Sequence, residues 1–241
     1  MKVSVIIPAF NEERLLGESL HHVCTAMAGF ARFDLESELI VCNNNSTDRT
    51  AEIAATAGAT VVFEPINQIG RARNCGAAAA TGDWLVFVDA DSHPSVGLFE
   101  DVAREIQSGG VVAGGSTLRI DGSTGAARRI TALWNFISLK TKWVAGSFIF
   151  CEAKAFREVG GFNNELFASE EIDLSKKLKR YARKARKKMV ILDQHPMVTS
   201  DRKLHLYTMR EHLRFIVRTV LAGGKTLNSR EACHSWYDGR R

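Results

Sequence analysis

The chain has 241 residues, 45% hydrophobic and 24% charged, with a formal net charge of +5. That is the make-up of a soluble globular protein with room for a large core, and it excludes disordered, collagen-like and disulfide-scaffold chains. The mild positive excess fits a polyanionic partner (nucleic acid, an anionic membrane surface or a phosphorylated small molecule) without choosing among them.

Val3 to Ile7 reads as a buried strand stopped by Pro8. Asn11 is placed to cap a following helix, with Glu12 and Glu13 in its first turn and Leu16, Leu20, Val23 and Met27 along one face. Glu38 to Cys42 is a second strand, and the polar run Asn43 to Asp48 caps a helix ending near Ala57 and Gly58. Thr60 to Phe63 is a third strand, and Ile69 to Ala80 a helix of small residues that can pack close to a sheet. Trp84 to Val88 is a fully apolar strand running into Asp89-Ala90-Asp91. Four strands alternating with three helical patterns predict βαβ units and a parallel sheet. Each polar cluster (Phe10 to Glu12, Asn43 to Asn45, Asp89 to Asp91) follows a strand, where ligands of such sheets bind.

The second half is less regular. Gly97 to Ser108 reads as a helix, Val111 to Ile120 as a strand interrupted at Gly114-Gly115, Ile130 to Trp143 as a helix and Phe148 to Cys151 as a strand. A short helix ends at Gly160-Gly161-Phe162, and Ser169 is placed to cap a helix opening Glu170-Glu171-Ile172-Asp173. Leu206 to Ala222 has an apolar and a basic side, as an amphipathic helix would. With no repeat or linker, one domain over residues 1–241 is expected, its last forty residues or so a helical tail.

Several clusters admit both chemical and structural readings. Asp89 and Asp91 are hard oxygen donors suited to a divalent cation, or simply acids in a turn. Glu170, Glu171 and Asp173 complement a helix dipole, yet three acids so close push at least one pKa upward, as a general base near neutrality requires. The basic residues between 176 and 188 are a solvated helix face, or a peripheral contact with anionic lipid or a phosphorylated acceptor. They lack the interleaved aromatics of a single-strand reader, so no nucleic-acid partner is expected. His195 is a structural histidine or a metal ligand, and Arg71 and Arg73 are placed to clamp phosphate or stack on a base. P-loop, dinucleotide and hydrolase-elbow motifs do not occur.

Five scattered cysteines without a C-x-x-C pair fit a reducing compartment. The first apolar run is too short for a signal peptide, and no run of about 18 apolar residues occurs. The expectation is a cytoplasmic protein whose Asn45-Ser46-Thr47 sequon is silent.

Taken in order, Val5 to Glu13, Val41 to Asp48, Gly70 to Gly76, Gly82 to Asp91, Gly160 to Phe162 and Glu170 to Leu174 resemble glycosyltransferase family 2, the inverting nucleotide-sugar transferases. The resemblance implies a GT-A fold, an α/β architecture with a mostly parallel sheet and helices on both faces. Residues to about 95 would be the nucleotide half and about 96–200 the acceptor half. It also implies roles. Pro8, Ala9, Phe10, Glu12, Asn43, Asn44 and Ala90 would line the nucleotide-sugar pocket, with Arg73 near base or phosphates. Asp91, supported by Asp89, would hold Mn²⁺ or Mg²⁺ on the diphosphate. Glu170-Glu171 would match the family's Glu-Asp pair, making Glu171 the base for an acceptor hydroxyl on a glycan, a lipid-linked or a small molecule. Asn43 and Asn44 stand where many members carry Asp, and Glu171 is one methylene longer than the family's Asp. Uridine is the favoured base. The competing readings are a non-catalytic nucleotide-sugar-binding module, and a sugar-1-phosphate nucleotidyltransferase, which Pro8-Ala9-Phe10-Asn11 argues against because that class needs a Gly-rich basic loop there.

Overall fold

Val3, Val5, Ile6 and Ile7 are completely buried, as strand residues must be when helices cover both faces of a parallel sheet. They belong to β1 in a computed structural model that describes residues 1–122 and 125–199. The first half runs β1 (Lys2–Ala9), α1 (Leu16–Ala31), β2 (Glu36–Asn43), α2 (Thr50–Thr56), β3 (Thr60–Phe63), α3 (Ile69–Ala79) and β4 (Trp84–Val88). The rest runs β5 (Ser92–His93), α4 (Val96–Ser108), β6 (Val111–Ile120), α5 (Gly125–Thr141), β7 (Phe148–Glu152), α6 (Ala153–Glu158), α7 (Glu170–Ala185) and β8 (Lys188–Thr199).

The eight strands among the described residues form one sheet in the order β3-β2-β1-β4-β7-β6-β8-β5. The alternation expected of a strand divides its faces. Val3, Val5 and Ile7 share a core with α1 and α4 residues such as Val23, Phe30, Phe99 and Val102. Ile6 and Phe87 face the other way, into a core with Ala77 of α3, Phe156 of α6 and Leu174 of α7. Close approach of α3 depends on Gly76, where a Cβ would lie 2.4 Å from Ile6 Cγ2.

The first four strands are parallel, as their alternation with helices predicts. The sheet is mixed beyond them, because β7 runs antiparallel to both β4 and β6. Gly114-Gly115 does not interrupt β6, which is continuous from Val111 to Ile120. Those positions lack side chains because the partners need the room: a Cβ on Gly114 would lie 2.5 Å from the Phe150 ring. Asn11 does not cap a helix, since α1 starts only at Leu16 and Asn11 sits in a turn at φ 52°. Ser169 precedes α7 at φ 62° and makes no capping bond with its side chain. The strands β5 and β8 were not apparent in the sequence, and the Leu206 to Ala222 helix lies outside the described residues.

Strand order reverses between β1 and β4, so the loops after these two strands flank the switch point where ligands of α/β sheets bind. The register pairs Ala9 with Asn43 and Ile6 with Phe87, which brings the Pro8–Glu12, Asn43–Asp48 and Asp89–Asp91 segments to one end of the sheet. The Asp turn also forces the sheet to curl. Val88 to Ser92 is four residues of travel, at most about 15 Å, yet β5 stands four strands from β4, about 19 Å in a flat sheet. The register shift between Ser116 and Leu118 of β6 is where the β6–β8 pair bends.

Gly76→Ala should push Ile6 off its packing and cost about 1–3 kcal/mol. A lowered urea midpoint at unchanged slope is the expected result.

Candidate active site

Asp89-Ala90-Asp91 leaves β4 as a tight turn, closed by a hydrogen bond from the Ser92 amide to the Asp89 carbonyl at 3.1 Å. Asp91 is buried to 5% exposure. Against Asp89 of this turn, Arg73 rises from the first turns of α3 and is 1% exposed. One guanidinium nitrogen donates to Glu170 Oε1 at 2.7 Å; the other donates to Asp89 Oδ1 at 2.8 Å and the Gly146 carbonyl at 2.9 Å. Phe162 closes the remaining face with its ring centroid 5.2 Å away, a cation–π contact. Gly146 is small because a Cβ there would come within 3.0 Å of the guanidinium. Expected at the base or phosphates, Arg73 is instead a buried tie between the Asp turn and α7, its two terminal nitrogens occupied by protein oxygens.

The three acids at the start of α7 take separate paths. Glu170 turns inward to Arg73, and Asp173 pairs with Lys177 at 2.8 Å. Glu171 is pushed up to about 8, by burial first and then by the neighbouring Glu170, against the pull of Arg73. Burial works against the charge of Arg73, but Asp89, Glu170 and Glu171 outweigh it and raise its pKa. Three carboxylates therefore crowd one guanidinium, and Glu171 is the one whose ionisation is disfavoured.

The opposite wall is stitched from the loops after β1 and β2. The Asn11 amide donates to Ser46 Oγ, Asn11 Oδ1 accepts from the Thr47 amide, and the Glu12 amide donates to Thr50 Oγ1. Asn43 Oδ1 accepts from the Ser46 amide at 2.9 Å. Asn44, expected in the pocket, has its carboxamide committed to the chain: it donates to the carbonyls of Glu64 and Ile66 and accepts from the Gln68 amide. That fixes the loop entering α3 and hence Arg73. Pro8 and Ala9 end β1 at this wall, Ala90 is buried in the turn, and Glu12 is 6% exposed. His195 lies elsewhere: its ring packs over Gly97 and its Nδ1 is 2.8 Å from Asp101 Oδ2 on α4.

Residues 4–159 match the family model for Glycosyl transferase family 2. The chain belongs to that family. An uncharacterised glycosyltransferase of Mycobacterium bovis is 38% identical over 108 residues, covering 44% of each chain. The chain thus spans less than half the length of that curated relative. Among solved structures, S. aureus TarS in complex with UDP-GlcNAc superposes with a TM-score of 0.68 at 19% identity, over 98% of this chain and 69% of that one. Glucosyl-3-phosphoglycerate synthase from Mycobacterium tuberculosis, with Mn²⁺, UDP and phosphoglyceric acid, gives 0.58 at 19% identity, over 98% and 78%. The fold is the GT-A fold of this glycosyltransferase family.

Sequence reading assigned no role to the residues that hold this family member's site together. Gln68 donates to the carbonyls of Asn164 and Leu166, and Asn74 both donates to and accepts from the Phe162 backbone. Gln68 immediately precedes α3 and Asn74 follows Arg73 within it, polar residues at a helix otherwise rich in small ones, which is the signal that marks them. A cleft of about 420 Å³ between β6 and α5, walled by Arg119 and Arg128, shares no residue with the Arg73 cluster.

Because the folded pKa of Glu171 lies above its ordinary value of 4.5, its contribution to stability is full below that value and lost as pH rises through about 8. Glu171→Gln removes that loss. In thermal melts from about pH 5 to 9, the variant should gain on the native chain as pH rises; parallel curves would contradict the raised pKa.

Proposed function

We propose that this chain carries the catalytic domain of an inverting glycosyltransferase that moves a sugar from a nucleoside diphosphate to an acceptor hydroxyl. The observation that carries the reading is the buried Arg73 bridge, which joins a turn with two carboxylates to a helix start bearing a carboxyl of raised pKa. One side is suited to a charged leaving group and the other to a proton.

Asp91 and Asp89 offer only hard oxygen donors, which suits Mn²⁺ or Mg²⁺. Such an ion, when bound, supplies charge neutralisation at the departing diphosphate. Pro8, Ala9, Phe10 and Glu12, with Asn43 across the wall, are the donor-side residues, and Asn44 acts by holding the α3 loop. UDP is the favoured nucleotide. The solved relatives described with UDP-GlcNAc or UDP lend support through shared fold alone.

In its ionised form, whose share grows as pH rises towards about 8, Glu171 accepts the acceptor's hydroxyl proton as that oxygen bonds to the anomeric carbon and the sugar–diphosphate bond breaks, in one displacement with inversion. With its pKa pushed up to about 8, the ionised Glu171 is a stronger base than an ordinary glutamate. Arg73 keeps Asp89 and Glu170 in register and touches neither substrate.

The acceptor side carries basic and apolar surface. Lys176, Arg180, Arg183 and Lys184 lie exposed on α7, while Ile130, Leu133 and Phe136 are 46–61% exposed on α5. Lys179 Nζ bonds the Thr141 carbonyl and so joins the two helices. This surface supports a lipid-linked or anionic acceptor and peripheral membrane contact. No helix among the described residues is long and apolar enough to cross a membrane.

Glu171→Gln should abolish sugar transfer while donor affinity stays within a few-fold; native turnover in that variant would remove Glu171 as the base. Asp91→Ala should abolish the Mn²⁺-dependent part of UDP binding in calorimetry, and persistence of that dependence would displace the metal from the turn. Nucleotide binding without turnover against any acceptor would favour a non-catalytic module.

A further inference from the structure

We propose that Glu18, His22 and His93 form a site for a borderline divalent ion of the Zn²⁺ class, separate from the Asp89–Asp91 turn and clamping α1 to β5. Glu18 and His22 are one helical turn apart on α1, so their side chains share a face. His93 reaches them from β5, and the ligand atoms of all three lie within 4.8 Å of one another. The His22 and His93 rings stack with centroids 4.5 Å apart and planes 21° from parallel.

The donor set selects the ion. Two imidazoles and one carboxylate suit Zn²⁺ and its neighbours, which leaves a fourth position for water. Mn²⁺ and Mg²⁺ favour the oxygens of Asp89 and Asp91, so the two places discriminate by softness. Bonds of about 2.0–2.1 Å in tetrahedral geometry place ligand atoms about 3.3 Å apart. The three groups must therefore close by about 1.5 Å at most. Nearly parallel rings direct their in-plane lone pairs side by side, so one ring must also turn out of the stack to meet the ion. Glu18 is exposed and both rings are half-buried, which leaves space for that movement.

The location gives the site a consequence. β5 begins directly after Asp91, and its pairing with β8 consists of two residues, Ser92 with Thr199 and His93 with Val198. An ion held by His93 and α1 adds an anchor at the exit of the Asp turn, on the face of the sheet that α1 covers. It would make the loop that carries Asp91 stiffer without touching the nucleotide.

The test is Zn²⁺ calorimetry on the full chain in excess Mg²⁺, which fills the hard-oxygen site. Cys24 is exposed two residues from His22, so all proteins carry Cys24→Ser. One Zn²⁺ per chain is expected, with affinity falling at least about ten-fold in His22→Ala and in His93→Gln. Asp91→Asn should leave that affinity within about two-fold, and Co²⁺ in the same place should show visible bands of low-coordinate geometry. Should either histidine variant fail to fold, the exposed Glu18→Gln decides in its place, with a loss expected there too. Absence of stoichiometric binding, equal binding in the Glu18 and histidine variants, or loss confined to Asp91→Asn would each overturn the proposal.

Discussion

The guanidinium of Arg73, buried at the head of α3, is the interaction on which the site depends. An isolated charge there would be expelled into water or neutralised, because removing an ion from water costs several kcal/mol even after relaxation. It is retained because Asp89, Glu170 and the Gly146 carbonyl surround it with acceptors and Phe162 presents a π face. Those groups come from the turn after β4, the start of α7, the segment before β7 and the Gly160–Phe162 loop. Four distant segments are thus fixed relative to one another by a single side chain. Breaking such a buried pair leaves uncompensated charge, so the network specifies one arrangement more than it adds stability.

The same arithmetic of charge sets the chemistry. Burial penalises a third carboxylate at Glu171, and Arg73, already bonded to Asp89 and Glu170, offsets that only in part. The group is protonated under conditions where an exposed glutamate is ionised. The raised pKa of Glu171 is therefore a by-product of how the scaffold accommodates its buried arginine. The Asp turn is tied into the same network through Asp89, which accepts from Arg73 at 2.8 Å.

Much of this was legible in the chain. Val3–Ile7, broken only by Ser4, and Trp84–Val88 are short apolar runs that suit strands covered on both faces. The alternation of such runs with small-residue and amphipathic segments fixed the parallel half of the sheet, and polar residues after each strand marked the functional edge. What was not legible is instructive. Lys188–Thr199 is a twelve-residue strand whose burial is uneven and whose register with β6 shifts part-way along, so no alternation is visible. β5 has two residues and exists only because β8 is there to pair with it. Gly114-Gly115 looked like a break, since the Phe150 ring that needs the space comes from a strand more than thirty residues away.

The sequence by itself determined the periodic and the chemical: where strands and helices form, that Asp89 and Asp91 leave a buried strand together, and that three acids crowd one helix start. These follow from local sterics, apolar patterning and charge, which act over a few residues. The tertiary structure alone decided which acid faces which base. Glu170 and Asp89 stand 97 and 16 positions from Arg73, Asn44 turns its amide to the loop entering α3, and His195 joins Asp101. Burial and pairing depend on the fall in dielectric screening once the chain has closed around them, and that is a property of the whole fold.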